Sequence, residues 1–325
     1  MQNNSQDPYN RHFSNPDLTC IRYIMKRYLI LAIFFSISLL SPAQDSAEDY
    51  SWWNEIHGWE EGDPGWRNWM KLSPGYMGPN ALPVPEVKKG IITASSESEI
   101  TFSNHFHKGD PTQDISCRLF LPFAKNKIAL EMYGVVIEHY AFSEKIRDER
   151  ISRDRDGKGI AAGDLYFSTL VQLSKDRRFP NTLLRLATKT ASGTRLEAAR
   201  YTDSPGYFFD LSFSKKYGKT GRIIFMPYAG FGFYSWQTND ENRLQNDALM
   251  YSAGSDLQTS TYLLSASFSG YSGYKNQRDR SMQLNFELGR DFNNKTLKIR
   301  YSHGLKEWSY RTLRLSFIWK FNSLG

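Results

Sequence analysis

Twelve charged residues occupy alternate positions in segments whose intervening residues are apolar. The basic members are Arg118, Arg185, Lys189, Lys298, Arg300, Arg314 and Lys320. The acidic members are Glu99, Glu131, Asp164, Asp210 and Glu287. A period of two places each of them on the polar face of a strand. Basic residues gather toward the C-terminal end of the chain and acidic ones elsewhere. Facing one another across a bore, they would set a transverse field and tune passage of small solutes. Paired with one another, they would hold a closed interior through which nothing passes. The sequence leaves both readings open.

Histidines form a second group. His105 and His107 are two residues apart, and His139 and His303 fall near the ends of other alternating segments. Converging at one rim with Asp110 or Glu138, they could hold a metal or carry acid–base chemistry. Their spacing matches no metal motif, so no metal and no cofactor is expected. The chain has no Gly-x-Ser-x-Gly nucleophile elbow, and the neighbours Ser302 and His303 project to opposite faces of a strand. A hydrolase acting on lipid or envelope glycan is kept as an alternative, as is a structural or adhesive protein. The stretch "DRDGKG" at 154–159 lacks the full calcium-loop ligand pattern.

A third group is aromatic. Trp52, Trp53, Trp59, Trp66 and Trp69 are five of the eight tryptophans and lie within eighteen residues. Indole rings stack on sugars and other flat molecules, so the cluster is a candidate ligand platform. The plainer reading is that these rings anchor their segment to the rest of the protein or to a membrane interface.

These residues need elements to position them. The C-terminal stretch alternates Leu313, Leu315, Phe317, Trp319 and Phe321 with Arg314, Ser316, Ile318 and Lys320. The same alternation recurs upstream, giving twelve strands from about Glu97 onward, near 98–107, 113–123, 127–140, 163–174, 181–190, 206–216, 222–235, 247–257, 262–269, 282–289, 297–302 and 313–321. Links after even-numbered strands are tight, such as "AKNK" and "FNNKT". Links after odd-numbered strands are mostly longer and charged, such as 143–160 and 191–206. Short turns at one end and long loops at the other are the pattern of an outer-membrane barrel. The expected fold is therefore all-β, an antiparallel transmembrane β-barrel of about twelve strands over 96–325.

Residues 44–95 are too rich in Pro and Gly for a long helix and too polar for a spanning strand. They are expected to form a short Trp-rich periplasmic segment that plugs, caps or anchors the barrel. Before them, Lys26 and Arg27 lead into an apolar run from Leu29 to Leu40, and Ser41 and Ala43 suit a cleavage site. Residues 25–43 thus read as a secretory signal peptide, and 1–24 as a mis-assigned upstream extension. Cleavage would leave Cys117 alone, without a disulfide partner. The net charge of +7 is spread along the chain with no basic run, which argues against nucleic acid as a partner. The expected partners are outer-membrane lipid, the barrel-assembly machinery and an unidentified small solute.

The signal ending "SPAQ", the alternating aromatic strands and the run "GYSGY…RDRSMQLN" resemble outer-membrane barrels of Bacteroidota-type bacteria. "GDLYFSTLVQL", opening on Gly163-Asp164-Leu165, is loosely similar to transporter barrels of the MetA-pathway phenol-degradation type. The resemblance covers about 97–321 and implies a channel in a Gram-negative outer membrane, without naming a substrate.

Overall fold

A computed structural model describes residues 49–176, 178–218, 223–240 and 243–322. The expected upstream extension and signal peptide lie outside the described residues.

Thirteen strands carry the architecture. They are β1 (Ser96–Phe106), β2 (Thr112–Phe123), β3 (Ile128–Ala141), β4 (Lys158–Ala161), β5 (Leu165–Ser174), β6 (Asn181–Lys189) and β7 (Gly206–Ser214). After them come β8 (Ile224–Gln237), β9 (Gln245–Gln258), β10 (Tyr262–Gly273), β11 (Met282–Phe292), β12 (Lys295–Lys306) and β13 (Arg311–Phe321). Every pairing is antiparallel. Each strand pairs with its neighbour in sequence, except that β3 bonds both β4 and β5. The ring closes where β1 meets β13, with Ser96 opposite Phe321 and Phe106 opposite Arg311. The closed ring has twelve strands; β4 is a four-residue flange on the end of β3. Closure satisfies the backbone of every strand, which a sheet in hydrocarbon requires.

Alternation fixes which side chains face outward. Phe102, Leu186, Phe209, Leu288 and Leu315 are each about half exposed, while their neighbours in sequence face the interior. An outward apolar surface of this kind suits lipid. Ordinary periodicity is broken at Val136 on β3: Ile137 opposes Ile115 and Val135 opposes Ser116, so one residue bulges. Below the bulge Ala129 and Glu131 point inward; above it Glu138 and Tyr140 do. A bulge inserts one residue and re-aims everything beyond it.

Short turns join β2 to β3, β5 to β6, β7 to β8, β9 to β10 and β11 to β12 at one end. The opposite end carries the long connections. The β3–β5 link holds α3 (Glu144–Glu149) and β4, and the β6–β7 link holds a single 3-10 turn (Leu196–Ala198). Two links at this end are short, those after β1 and β12.

The segment before β1 contains α1 (Ser51–His57) and α2 (Trp66–Trp69). Its contacts fix its place relative to the ring. Trp53 bonds the carbonyl of Ile151, Arg67 pairs with Asp203 at 2.5 Å, and Gly75 N–H donates to the carbonyl of Arg278. All three partners belong to the long-loop end. The chain then passes down the interior, where Tyr271 donates to the carbonyl of Leu82 and Lys88 reaches Glu131. It leaves at the short-turn end, where Gln172 donates to the carbonyl of Gly90 and accepts from the N–H of Ile92. Pro79 and Pro85 help to explain the course: a proline-rich segment with few donors of its own cannot add to the sheet and is free to lie inside it.

Candidate functional site

The interior of the ring is the candidate site, and residues 79–92 occupy it. At its upper level the two walls differ. The β5–β10 wall is aromatic and apolar: Tyr166, Phe208, Tyr234, Trp236 and Tyr271 pack around Leu82. Tyr234 and Tyr271 meet edge to face with centroids 5.5 Å apart, a geometry that contributes about 0.5–1.5 kcal/mol beyond area burial. Two indoles tie the segment by its backbone: Trp236 donates to the carbonyl of Leu72 at 2.9 Å and Trp308 to that of Pro79 at 3.2 Å.

The facing β1–β3 wall is charged. Arg200, from the β6–β7 loop, contacts Asp110 at 2.9 Å and Glu138 at 2.7 Å, with all three side chains sealed from solvent. Tyr201 donates to Glu138, Arg150 contacts Asp110 at 2.8 Å, and the Tyr310 hydroxyl also donates to Asp110. The segment joins this network through Asn80, whose amide donates to Asp114 at 2.9 Å and Glu138 at 2.7 Å. Gly78 is needed here because a β-carbon would stand 2.7 Å from the Arg200 guanidinium carbon. Burial alone would raise the pKa of Asp110, but Arg200, Arg150 and the Tyr310 hydroxyl outweigh it and hold the carboxyl below its ordinary value.

At the lower level the segment contributes its own charges. Lys88 pairs with Glu131 at 2.8 Å, Lys89 with Asp256 at 2.9 Å, and Glu86 accepts from Arg300 at 2.6 Å. Arg300 also meets Glu287, and Arg118 contacts Glu97, Glu99 and Glu131. The plug therefore completes ion pairs that the walls begin. Gly90 carries φ +71°, and a β-carbon there would meet the backbone of Asn181 and Ser214 at 2.9 Å.

The structure places all twelve predicted lumen residues on the interior or its rim. Most are paired: Arg185 with Asp210 at 2.6 Å, Lys189 with Asp164 at 2.7 Å, Lys298 with Glu99 at 3.8 Å, and Lys320 with Asp291 at 2.7 Å. Arg314 donates to Ser302 at 3.0 Å. The interior is thus closed by ion pairs rather than split into opposed walls of uncompensated charge. Lys88, Lys89, Glu86 and Asn80 had no signal in the sequence, because their segment has no period that could be matched to a wall.

The four histidines do not converge. His105 lies inside, with Nε2 2.6 Å from Asp114 and Nδ1 2.8 Å from the Thr312 hydroxyl. His107 packs on Tyr310, and burial with the nearby Arg150 pushes its pKa down. His139 bonds Gln113 on the outward face, re-aimed there by the Val136 bulge. His303 shares the outward face with Tyr301. Among the described residues no group of His, Cys, Asp and Glu is arranged to hold a metal.

The tryptophans divide. Trp53 is fully buried, and Trp69 meets it edge-on at 6.3 Å. Arg153 stacks over Tyr50, Trp53 and Trp66, while Arg147 lies over Trp52. Trp59 and Trp69 both donate to the carbonyl of Pro64. The cluster therefore pins the segment to the long-loop end, and Trp69 also lines a cleft there.

No protein-family model matches the chain, and no curated protein matches it. Solved structures do. An outer-membrane channel from Pseudomonas putida is similar with a TM-score of 0.50 at 13% identity, covering 80% of this chain and all of that one. The NanC porin gives 0.44 at 11% identity, covering 69% of this chain and all of that one. The β-domain of the Bordetella autotransporter BrkA gives 0.43 at 11% identity, covering 70% and 100%. At these identities the likeness concerns the fold: the chain folds as an antiparallel twelve-stranded outer-membrane-type barrel.

Proposed function

We propose that the protein is an outer-membrane channel for small polar solutes whose bore is closed at rest by its own N-terminal segment. One observation carries the reading. Residues 79–92 fill the interior, held by hydrogen bonds and ion pairs together with the packing of Leu82 and Ile92, and no sheet pairing ties them to the ring. Such contacts can be exchanged for water or solute, whereas a strand could leave only by breaking the sheet. The Pseudomonas putida barrel, itself described as a channel, lends support by its fold.

The hydrolase reading has one observation in its favour, the series Thr312, His105, Asp114 in the order hydroxyl, imidazole, carboxylate. All three are buried, and Asn80 of the plug caps the carboxylate, so no substrate reaches Thr312 while the segment is in place. The channel reading is therefore preferred.

Single-channel conductance decides between them. The chain 44–325 is compared in a planar bilayer with a chain starting at Glu97, folding being checked by heat-modifiable gel migration. Rare openings from the first and steady steps from the second are expected. Silence from both folded proteins would end the channel reading.

A further inference from the structure

We infer that the inner wall where β12 meets β13 is a recognition site for the carboxylate of a monocarboxylic acid with an apolar body, and that Glu86 of the plug sits there in the acid's place. Arg300 and Arg314 are direct partners across these two strands, and both side chains point inward. Like charges set opposite each other destabilise a sheet, so compensation must come from other groups. Arg300 has it, from Glu287 and from Glu86. Arg314 does not. Its one hydrogen bond goes to the Ser302 hydroxyl at 3.0 Å, and among the described residues it makes no ion pair.

The neighbours leave this guanidinium available. Ser103 lies opposite Arg314 on β1, and its hydroxyl makes no hydrogen bond. Asp114 follows one strand further on, but it is engaged by His105 and Asn80 and forms no ion pair with Arg314. A guanidinium with most of its fork unused, beside a free hydroxyl, is equipped to hold a carboxylate. Charge sets the valence. With Glu86 withdrawn, two guanidiniums face one carboxylate, Glu287, and a single negative charge restores the balance.

The plug shows what else the acid would carry. Glu86 is exposed, so its pair with Arg300 at 2.6 Å is open to exchange. Leu82, four residues earlier, is packed in the aromatic wall. The chain between them spans at most about 14 Å. An acid whose apolar body lies against Tyr234 and Tyr271, and whose carboxylate meets Arg314 and Arg300, reproduces both contacts of the plug. Such an acid competes with Glu86 and shifts the plug toward release. That coupling rests on the channel reading above, but the site itself does not.

The test is calorimetric titration of the folded 44–325 chain in neutral detergent with phenylbutyrate and with its uncharged amide, detergent alone serving as the blank. Saturable binding of the acid and none of the amide is expected. Arg314→Gln should weaken binding of the acid about tenfold or more, as loss of a charged hydrogen bond does. Glu86→Gln should tighten it several-fold by removing the competitor. Arg314 has a single hydroxyl partner, so its loss strands no carboxylate, and folding is checked by heat-modifiable migration. Failure of the acid to saturate in both the parent and Glu86→Gln, equal affinity in Arg314→Gln, or equal binding of the amide would overturn the site. Unchanged or weaker affinity in Glu86→Gln would overturn the role given to Glu86. Conductance then tests the coupling. Openings should rise with the acid, and unchanged openings at saturation would overturn the coupling while leaving the site standing. If the chain starting at Glu97 is also silent, the channel reading falls and calorimetry alone judges the site.

Discussion

Arg200 and Asp110 stand 2.9 Å apart with both side chains sealed from solvent, and the same guanidinium reaches Glu138 at 2.7 Å. Two long-loop-end connections and the bulged strand β3 are joined at this one cation. Removing one member of a buried pair leaves the others uncompensated, at a cost of about 3–5 kcal/mol. Arg200→Met should lower the unfolding free energy from lipid vesicles by that amount, read as a fall in the urea midpoint at constant slope, with Arg200→Lys falling between. An unchanged midpoint in the Met variant would show that the network contributes nothing.

The same network makes the cap sensitive to acid. Asp110 lies in the β1–β2 connection, outside the spanning strands, and its folded pKa is depressed. A depressed carboxylate stabilises the folded arrangement above its unfolded value of about 3.9 and loses that contribution as pH falls through the folded value. The cap should hold at neutral pH and loosen below about pH 4. Open-channel events scanned from pH 7 to pH 3 should rise at the acid end, and Asp110→Asn should flatten the rise by opening at every pH.

Lys89 faces Asp256, and Lys88 faces Glu131, both across the gap between plug and wall. Lys89→Glu sets two carboxylates against each other in a largely buried place. Open probability at neutral pH should increase several-fold while the folded barrel persists. A variant as quiet as the parent would mean that these contacts do not hold the segment in.

Glu61 is exposed in the turn between α1 and α2, and Asp176 lies in a tight turn at the other end of the ring. In a Cys117→Ala background, Glu61→Cys on intact cells should react with a membrane-impermeant maleimide. Asp176→Cys should react only after lysis. The reverse pattern would invert the topology.

Leu315 projects outward near the middle of β13. An arginine on the lipid face near the midplane costs about 2–4 kcal/mol. Leu315→Arg should shift vesicle unfolding by that amount. A smaller shift would mean that this face is covered by protein rather than by lipid.

The wall was readable because lipid on one side and a polar interior on the other impose a strict period of two. Residues 247–257, where small side chains blur the alternation, also form a strand, β9, whose Ala248, Ser252 and Gly254 line the inside. Parity failed at Val136, where one extra residue turns His139 out and Glu138 in, and no composition signal marks such an insertion. His303 was decidable, since the alternation through Ile299 and Tyr301 already sets it on the lipid face. The course of the N-terminal segment was not legible. Part of the walls' grip on it runs through the carbonyls of Leu72, Pro79 and Leu82, which any residue would supply.

The seam between β1 and β13 encircles a stretch of chain that precedes both strands. The molecule is therefore threaded through itself. Residues 79–92 must already lie across the nascent sheet when its first and last strands zip, or else be fed through the finished hoop afterwards. In the first order of events, the plug serves as the mandrel on which the ring is wound. Its alternating contacts with β2, β3, β8 and β10 would then guide the curvature before closure. In the second, the bore must be wide enough to pass Trp-rich chain, so the threading itself would demonstrate an open path across the membrane.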